Sequence, residues 1–169
     1  SVITTAALTP PRRGYLMCSA ERTFATSDWL IAFPTLARIA DEAWLDAVSA
    51  AKEMRLPADT TVIRERQPCQ NFLLVASGNV RIYKTAPSGR EIMLYQTCSG
   101  EVCILTLGTL LEGTDYSACA ITESEVRAVM IPASYFHAAM ARSDAFRAFI
   151  LTDLCRRMHI QIGIITVPA

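Results

Sequence analysis

The chain has 169 residues, 51% of them apolar and 19% charged, which is enough for one packed domain with appended helices and too apolar for global disorder. Sixteen basic and sixteen acidic side chains cancel, so the basic excess of a free-standing nucleic-acid binder is missing. No apolar run approaches the roughly 18 residues of a membrane span, and six scattered cysteines without a signal peptide suit a reducing, cytoplasmic setting.

Residues 1–27 carry Thr, Ala, Pro10, Pro11 and Gly14 without a sustained period and read as an N-terminal arm. Asp28 is placed to cap a short helix through Ala32, which Pro34 would interrupt. A clearer helix is expected over 41–54: Asp41 is its N-cap candidate, and Trp44, Leu45, Val48 and Met54 recur near helical spacing.

Residues 56–131 read as short strands separated by turns. Thr60 to Ile63, Asn71 to Val75, Val80 to Lys84 and Glu91 to Tyr95 are β-branched or aromatic runs, parted by Pro57-Ala58-Asp59, Ser77-Gly78-Asn79 and Pro87-Ser88-Gly89. Ser117 to Ile121 and Val126 to Ile131 supply the last strands. Regular turns between such runs point to a roll or barrel rather than βαβ units. Pro132 closes this region and fits the first turn of a helix running to about Arg142. Ser143 then caps a last helix, whose Phe146, Phe149, Ile150, Leu154, Met158 and Ile162 lie mostly along one stripe. That stripe could pack wholly on the β part. It runs beyond what a small roll covers, however, and a parallel helix pair across a two-fold axis would bury the excess, so pairing is the favoured reading.

The order of helix, about eight strands and long helix is restrictive, and particular residues narrow it. Leu56-Pro57-Ala58 through Val62-Ile63-Arg64-Glu65, Phe72 through Lys84, Ser88-Gly89-Arg90-Glu91 and Ser99-Gly100-Glu101 together resemble the cyclic-nucleotide-binding domain of the CRP/FNR regulators, over roughly 29–164. The resemblance implies a mainly β fold with flanking helices: a double-stranded β-helix (jelly-roll) β-roll with N-terminal helices over 28–142, and a C-terminal dimerisation helix over 143–169. It implies an effector-sensing domain of a transcriptional regulator, working as a homodimer and not as an enzyme. DNA would be reached only through a helix-turn-helix domain that this chain does not contain. A stand-alone ligand-binding or interaction module of the same fold is the alternative.

In nucleotide-binding relatives, a cassette after the Gly-Glu turn supplies a glutamate for the ribose and an Arg-Ser pair for the cyclic phosphate. Here it runs from Gly100 to Ala118. Glu101 belongs to the turn, the ribose position falls at Leu105 or Thr106, and the arginine position is Tyr116, followed by the matching Ser117. A neutral phenol cannot give an anion the charge-assisted, bidentate contact of a guanidinium. The expected signal is therefore something other than cAMP, an unidentified small molecule or redox effector, with no cofactor named.

Cys98 and Cys103 flank the Gly100-Glu101 turn and are the candidate thiol switch, set against inert packing as the default. His137 and His159 are expected to be ordinary helix residues, with no metal site. Neither G-x-S-x-G nor H-E-x-x-H occurs.

Overall fold

The computed structural model describes residues 29–166, with side chains through residue 159. The proposed arm, the Asp28 cap, Cys18 and the side chain of Ile162 lie outside the described residues. Trp29–Ala32 forms a 3-10 turn, and Pro34 opens a short helix, α1 (Pro34–Ala37), instead of interrupting one. A proline at the first helical position loses no hydrogen bond there.

Helix α2 (Glu42–Ala50) ends earlier than its spacing predicts. Residues expected to extend it to Met54 form strand β1 (Lys52–Leu56), paired antiparallel with β8 (Val126–Pro132) from Lys52↔Met130 to Leu56↔Val126. The five-residue ladder satisfies backbone groups that a longer helix would have satisfied internally. Asp41 precedes α2 without a side-chain capping bond; its carboxylate accepts the Ser143 hydroxyl proton instead.

The remaining strands are β2 (Thr61–Ile63), β3 (Asn71–Ser77), β4 (Val80–Thr85), β5 (Glu91–Thr97), β6 (Glu101–Val102) and β7 (Cys119–Thr122). They form two antiparallel four-stranded sheets, ordered β1-β8-β3-β6 and β2-β7-β4-β5. Between β6 and β7 the chain forms helix α3 (Ile104–Glu112), where only strands and turns were expected. Helices α4 (Ala133–Arg142) and α5 (Asp144–Thr166) follow β8.

The first sheet is covered on both faces, which explains the unbroken apolar run in β3. Phe72, Leu74 and Ala76 face the helices with Val129 and Ile131; Leu73 and Val75 face the second sheet with Ile63, Val80, Ile82 and Ala120. Successive residues point to opposite faces of a strand, so a strand between two cores needs apolar residues throughout. The helical layer is dominated by aromatic rings. Phe146 stacks on Trp44 at 4.9 Å between centroids and meets Phe72 and Phe136 edge-on at 6.2 and 6.1 Å. As predicted, Ser143 caps α5, its hydroxyl oxygen accepting from the Phe146 N–H at 3.1 Å.

Gly78 turns β3 into β4 at φ +88°, and a Cβ there would stand 2.3 Å from the Glu125 carbonyl oxygen. Gly89, in the β4–β5 turn at φ +82°, has open space around it. Gly89→Ala is expected to cost only the left-handed backbone term of about 1–2 kcal/mol. Gly78→Ala should cost a further ~1–3 kcal/mol for the overlap. Urea unfolding of the two variants checks this, and equal losses would contradict the stated crowding at Gly78.

Candidate functional site

The region from Gly100 to Ala118 begins at a turn. Gly100 adopts φ +78°, donates its N–H to the Val75 carbonyl at 2.8 Å, and leaves a Cβ only 3.1 Å from the Ala32 carbonyl oxygen. A bulkier residue would push the turn away from the 3-10 segment. Glu101 follows on β6, half-buried. Its Oε1 accepts the Cys98 N–H at 2.6 Å, so the carboxylate closes its own turn, as its position predicts.

Helix α3 carries Leu105 and Thr106, the two positions that the sequence resemblance assigns to a ribose contact. Leu105 points into the roll interior. The Thr106 hydroxyl is buried and fully used: it donates to the Cys103 carbonyl at 3.0 Å and accepts from the Leu73 N–H at 3.1 Å. Neither position presents a carboxylate. Leu107 and Leu110 turn the other way, into the helical layer, and Gly113 ends the helix in the left-handed region at φ +68°. The i, i+3 spacing of Leu107 and Leu110, with a glycine just beyond, is the signal that could have revealed this helix.

Tyr116 packs against the roll interior from the chain leaving α3, tied by backbone hydrogen bonds to Arg66 and Gln67. Burial pushes its phenol well above the ordinary range, and the neighbouring Cys69 thiol adds to the rise. It is a neutral group at any physiological pH. Ser117 is exposed. Tyr95, on β5, also packs against the interior, its phenol raised by burial. Sequence reasoning did not single it out, because nothing in its local pattern marks which face of β5 turns inward.

The structure does not unite the two cassette cysteines. Cys103 is fully buried with a free thiol, while Cys98 is engaged in a disulfide, so Cys103 is not its partner. Burial raises the Cys103 pKa, with opposing hydrogen bonds from Thr106. The candidate switch pair is thus not formed: Cys98 is oxidised, and Cys103 is a buried free thiol. Cys155 is free and exposed on α5, and both histidines lie exposed on their helices.

Along α5, Phe146 and Ile150 are fully buried in the chain's own core, with Phe149 and Leu154 partly buried against it. Asp153 and Arg157 continue this inward face. Ile150 is thus committed to its own domain and is not available to a second copy. The opposite face carries Leu151 and Met158, 56% and 60% exposed, and a shallow depression lined by Leu151, Thr152, Cys155, Arg156 and His159. No helix among the described residues is long and apolar enough to cross a membrane.

The family model for the cyclic nucleotide-binding domain matches residues 53–143. No curated protein matches the chain. Among solved structures, the sensor domain of the transcriptional regulator DNR from Pseudomonas aeruginosa is 20% identical with a TM-score of 0.61, over 83% of this chain and 93% of that one. A protein from Eubacterium rectale described as a transcriptional regulator of the crp/fnr family is 20% identical with a TM-score of 0.68, over 80% of this chain and 62% of its own. The regulatory domain of Toxoplasma gondii PKA, crystallised with cAMP, is 20% identical with a TM-score of 0.55, over 62% of this chain and 39% of its own. The chain thus spans less than two thirds of the last two. At these identities the likeness is one of fold.

Burial, which raises the Cys103 pKa and shields its sulfur, makes it a poor nucleophile. With an aromatic disulfide reagent at pH 8, Cys103 should react only on unfolding. Rapid native labelling of Cys103, seen by peptide mapping, would show the interior to be open.

Proposed function

The chain belongs to the cyclic nucleotide-binding domain family, and on that premise we propose that it is the effector-sensing domain of a CRP/FNR-like transcriptional regulator, tuned to a signal other than a cyclic nucleotide. The observation that carries this reading is the cassette itself. Where relatives grip a ribose and a cyclic phosphate, this chain has an apolar Leu105, a Thr106 hydroxyl consumed by backbone groups, and a neutral Tyr116. Each charge-assisted hydrogen bond forgone is worth about 1.5–3 kcal/mol. The interior between the sheets is lined by aliphatic side chains, with the Tyr95 and Tyr116 phenols against it. The domain works by binding rather than by catalysis and meets DNA only through a separate domain of the regulator.

The same reading includes a homodimer built on α5. Ala148, Leu151, Cys155 and Met158 follow the 3-4-3 spacing of a coiled-coil seam. Leu151, Cys155 and Met158 are exposed, on the face that the chain's own core leaves uncovered. A second copy related by a two-fold axis would cover the same residues with the same residues.

Calorimetric titration of the full chain with cAMP tests the first part: no micromolar site is expected, and a stoichiometric one would overturn the reading of Tyr116. For the second, the wild-type chain should scatter light as a dimer. Leu151→Glu and Met158→Glu should each shift it to monomer with little change in melting temperature, since neither side chain enters the domain core. A monomeric wild type, or variants that remain dimeric, would contradict it.

A further inference from the structure

One guanidinium joins the cassette to the long helix. Arg157 lies on the inward face of α5, its side chain only 13% exposed. Its Nη1 donates to the Val102 carbonyl at 2.7 Å, and its Nη2 lies 3.2 Å from Glu101 Oε2. Its Nε lies 3.4 Å from Oδ2 of Asp153, one turn earlier on the same helix. Asp153 is more deeply buried still, at 5%, and its other oxygen accepts from Arg156 at 2.6 Å. Two carboxylates therefore balance two guanidiniums, so the cluster carries no net charge. It binds three pieces of chain together: the Cys98 backbone through Glu101, strand β6, and the second half of α5.

Two features distinguish this cluster from a plain structural pair. The first is its place in the chain: β6 leads directly into Cys103 and Leu105, which face the roll interior, so Arg157 holds the backbone at the entry to the cassette. Burial drives the Tyr95 and Cys103 pKa values up, and the Arg157 charge works against that rise in both, so the guanidinium is felt at the interior wall. The second is incomplete satisfaction. Nε and Nη2 of Arg157 and Oδ2 of Asp153 are within ion-pair distance yet lack aligned hydrogen bonds. In a low-dielectric setting a small shift of β6 changes which of these bonds form.

We propose that Arg157 is the positioning residue through which the state of the cassette sets the pose of α5. Displacement of Glu101 and Val102 re-partitions the guanidinium between β6 and Asp153. The distal half of α5, which carries Cys155 and Met158 on its outer face, moves with it. This rests on the sensor reading above and adds the connection between its two ends.

Hydrogen exchange on the full chain tests the connection without any effector. Arg157→Met and Glu101→Gln should each speed exchange in two segments at once, the β6 turn at 98–104 and the helix at 153–159, by about tenfold or more, the weight of a charge-assisted hydrogen bond. The double variant should exchange no faster than Arg157→Met alone, because Glu101 reaches the helix through Arg157. Arg157→Lys keeps the charge without the fork and should fall between wild type and Arg157→Met in both segments. The dimer dissociation constant of each variant, by sedimentation, should shift in the order of its helix exchange. Faster exchange in the helix alone, additive singles, or a lysine variant equal to wild type would overturn the proposal. A chain that is monomeric throughout would sink the dimer reading and leave the exchange result to decide on Arg157.

Discussion

The placement of Phe146 is the constraint on which the rest of the molecule depends. Its ring is gripped by Trp44, Phe72 and Phe136, one from α2, one from the first sheet and one from α4. The Ser143 hydroxyl, held by Asp41, fixes the backbone three residues earlier. These contacts set the rotational phase of α5, and 3.6 residues per turn then decides every later side chain. Ile150, Asp153 and Arg157 must point inward, and Leu151, Cys155 and Met158 must point out. Aromatic pairs of this kind contribute about 0.5–1.5 kcal/mol beyond burial. Their geometric effect is the larger one here, because a helix turned by one residue would take Arg157 away from Glu101 and put Arg156 or Met158 in its place.

Much of the fold was legible in the sequence because its strands are short and sharply punctuated. Ser77-Gly78-Asn79 and Pro87-Ser88-Gly89 force turns, and β-branched runs lie between them. The Ser143 cap was legible too, since serine ahead of an apolar helical pattern has few other uses. Strand β1 was not. Four of its five residues are exposed, so it shows no alternation of apolar and polar positions, and Met54 happens to extend the period of the preceding helix. Helix α3 was hidden for the opposite reason. Lying between two cores, it is apolar on both sides, and its Ile104, Thr106 and Thr109 look like strand residues.

The candidate site was legible in part. Tyr116 packs against the roll interior and Glu101 serves its own turn, both as their positions in the sequence suggest. The apolar stripe of α5, by contrast, merges two faces when read from sequence: Phe146 and Ile150 belong to the domain, Met158 to the outside. Linear spacing cannot separate them without the phase that the aromatic cluster imposes. Arg157 was invisible for the same reason. Beside Arg156 it reads as a surface pair near a helix end, and only the fold brings Glu101, 56 positions earlier in the sequence, against it.

Cysteine scanning along α5 measures that phase most directly. In a Cys155→Ser background, single cysteines would be placed at Leu151, Thr152, Arg156 and Met158, and mild oxidation followed by a non-reducing gel. Facing seam positions of a parallel pair come within reach of a disulfide, whereas flanking positions do not. The account predicts covalent dimers from positions 151 and 158, and from native Cys155, with little from 152 or 156. Equal cross-linking at all positions, or a maximum at 152 or 156, would contradict it.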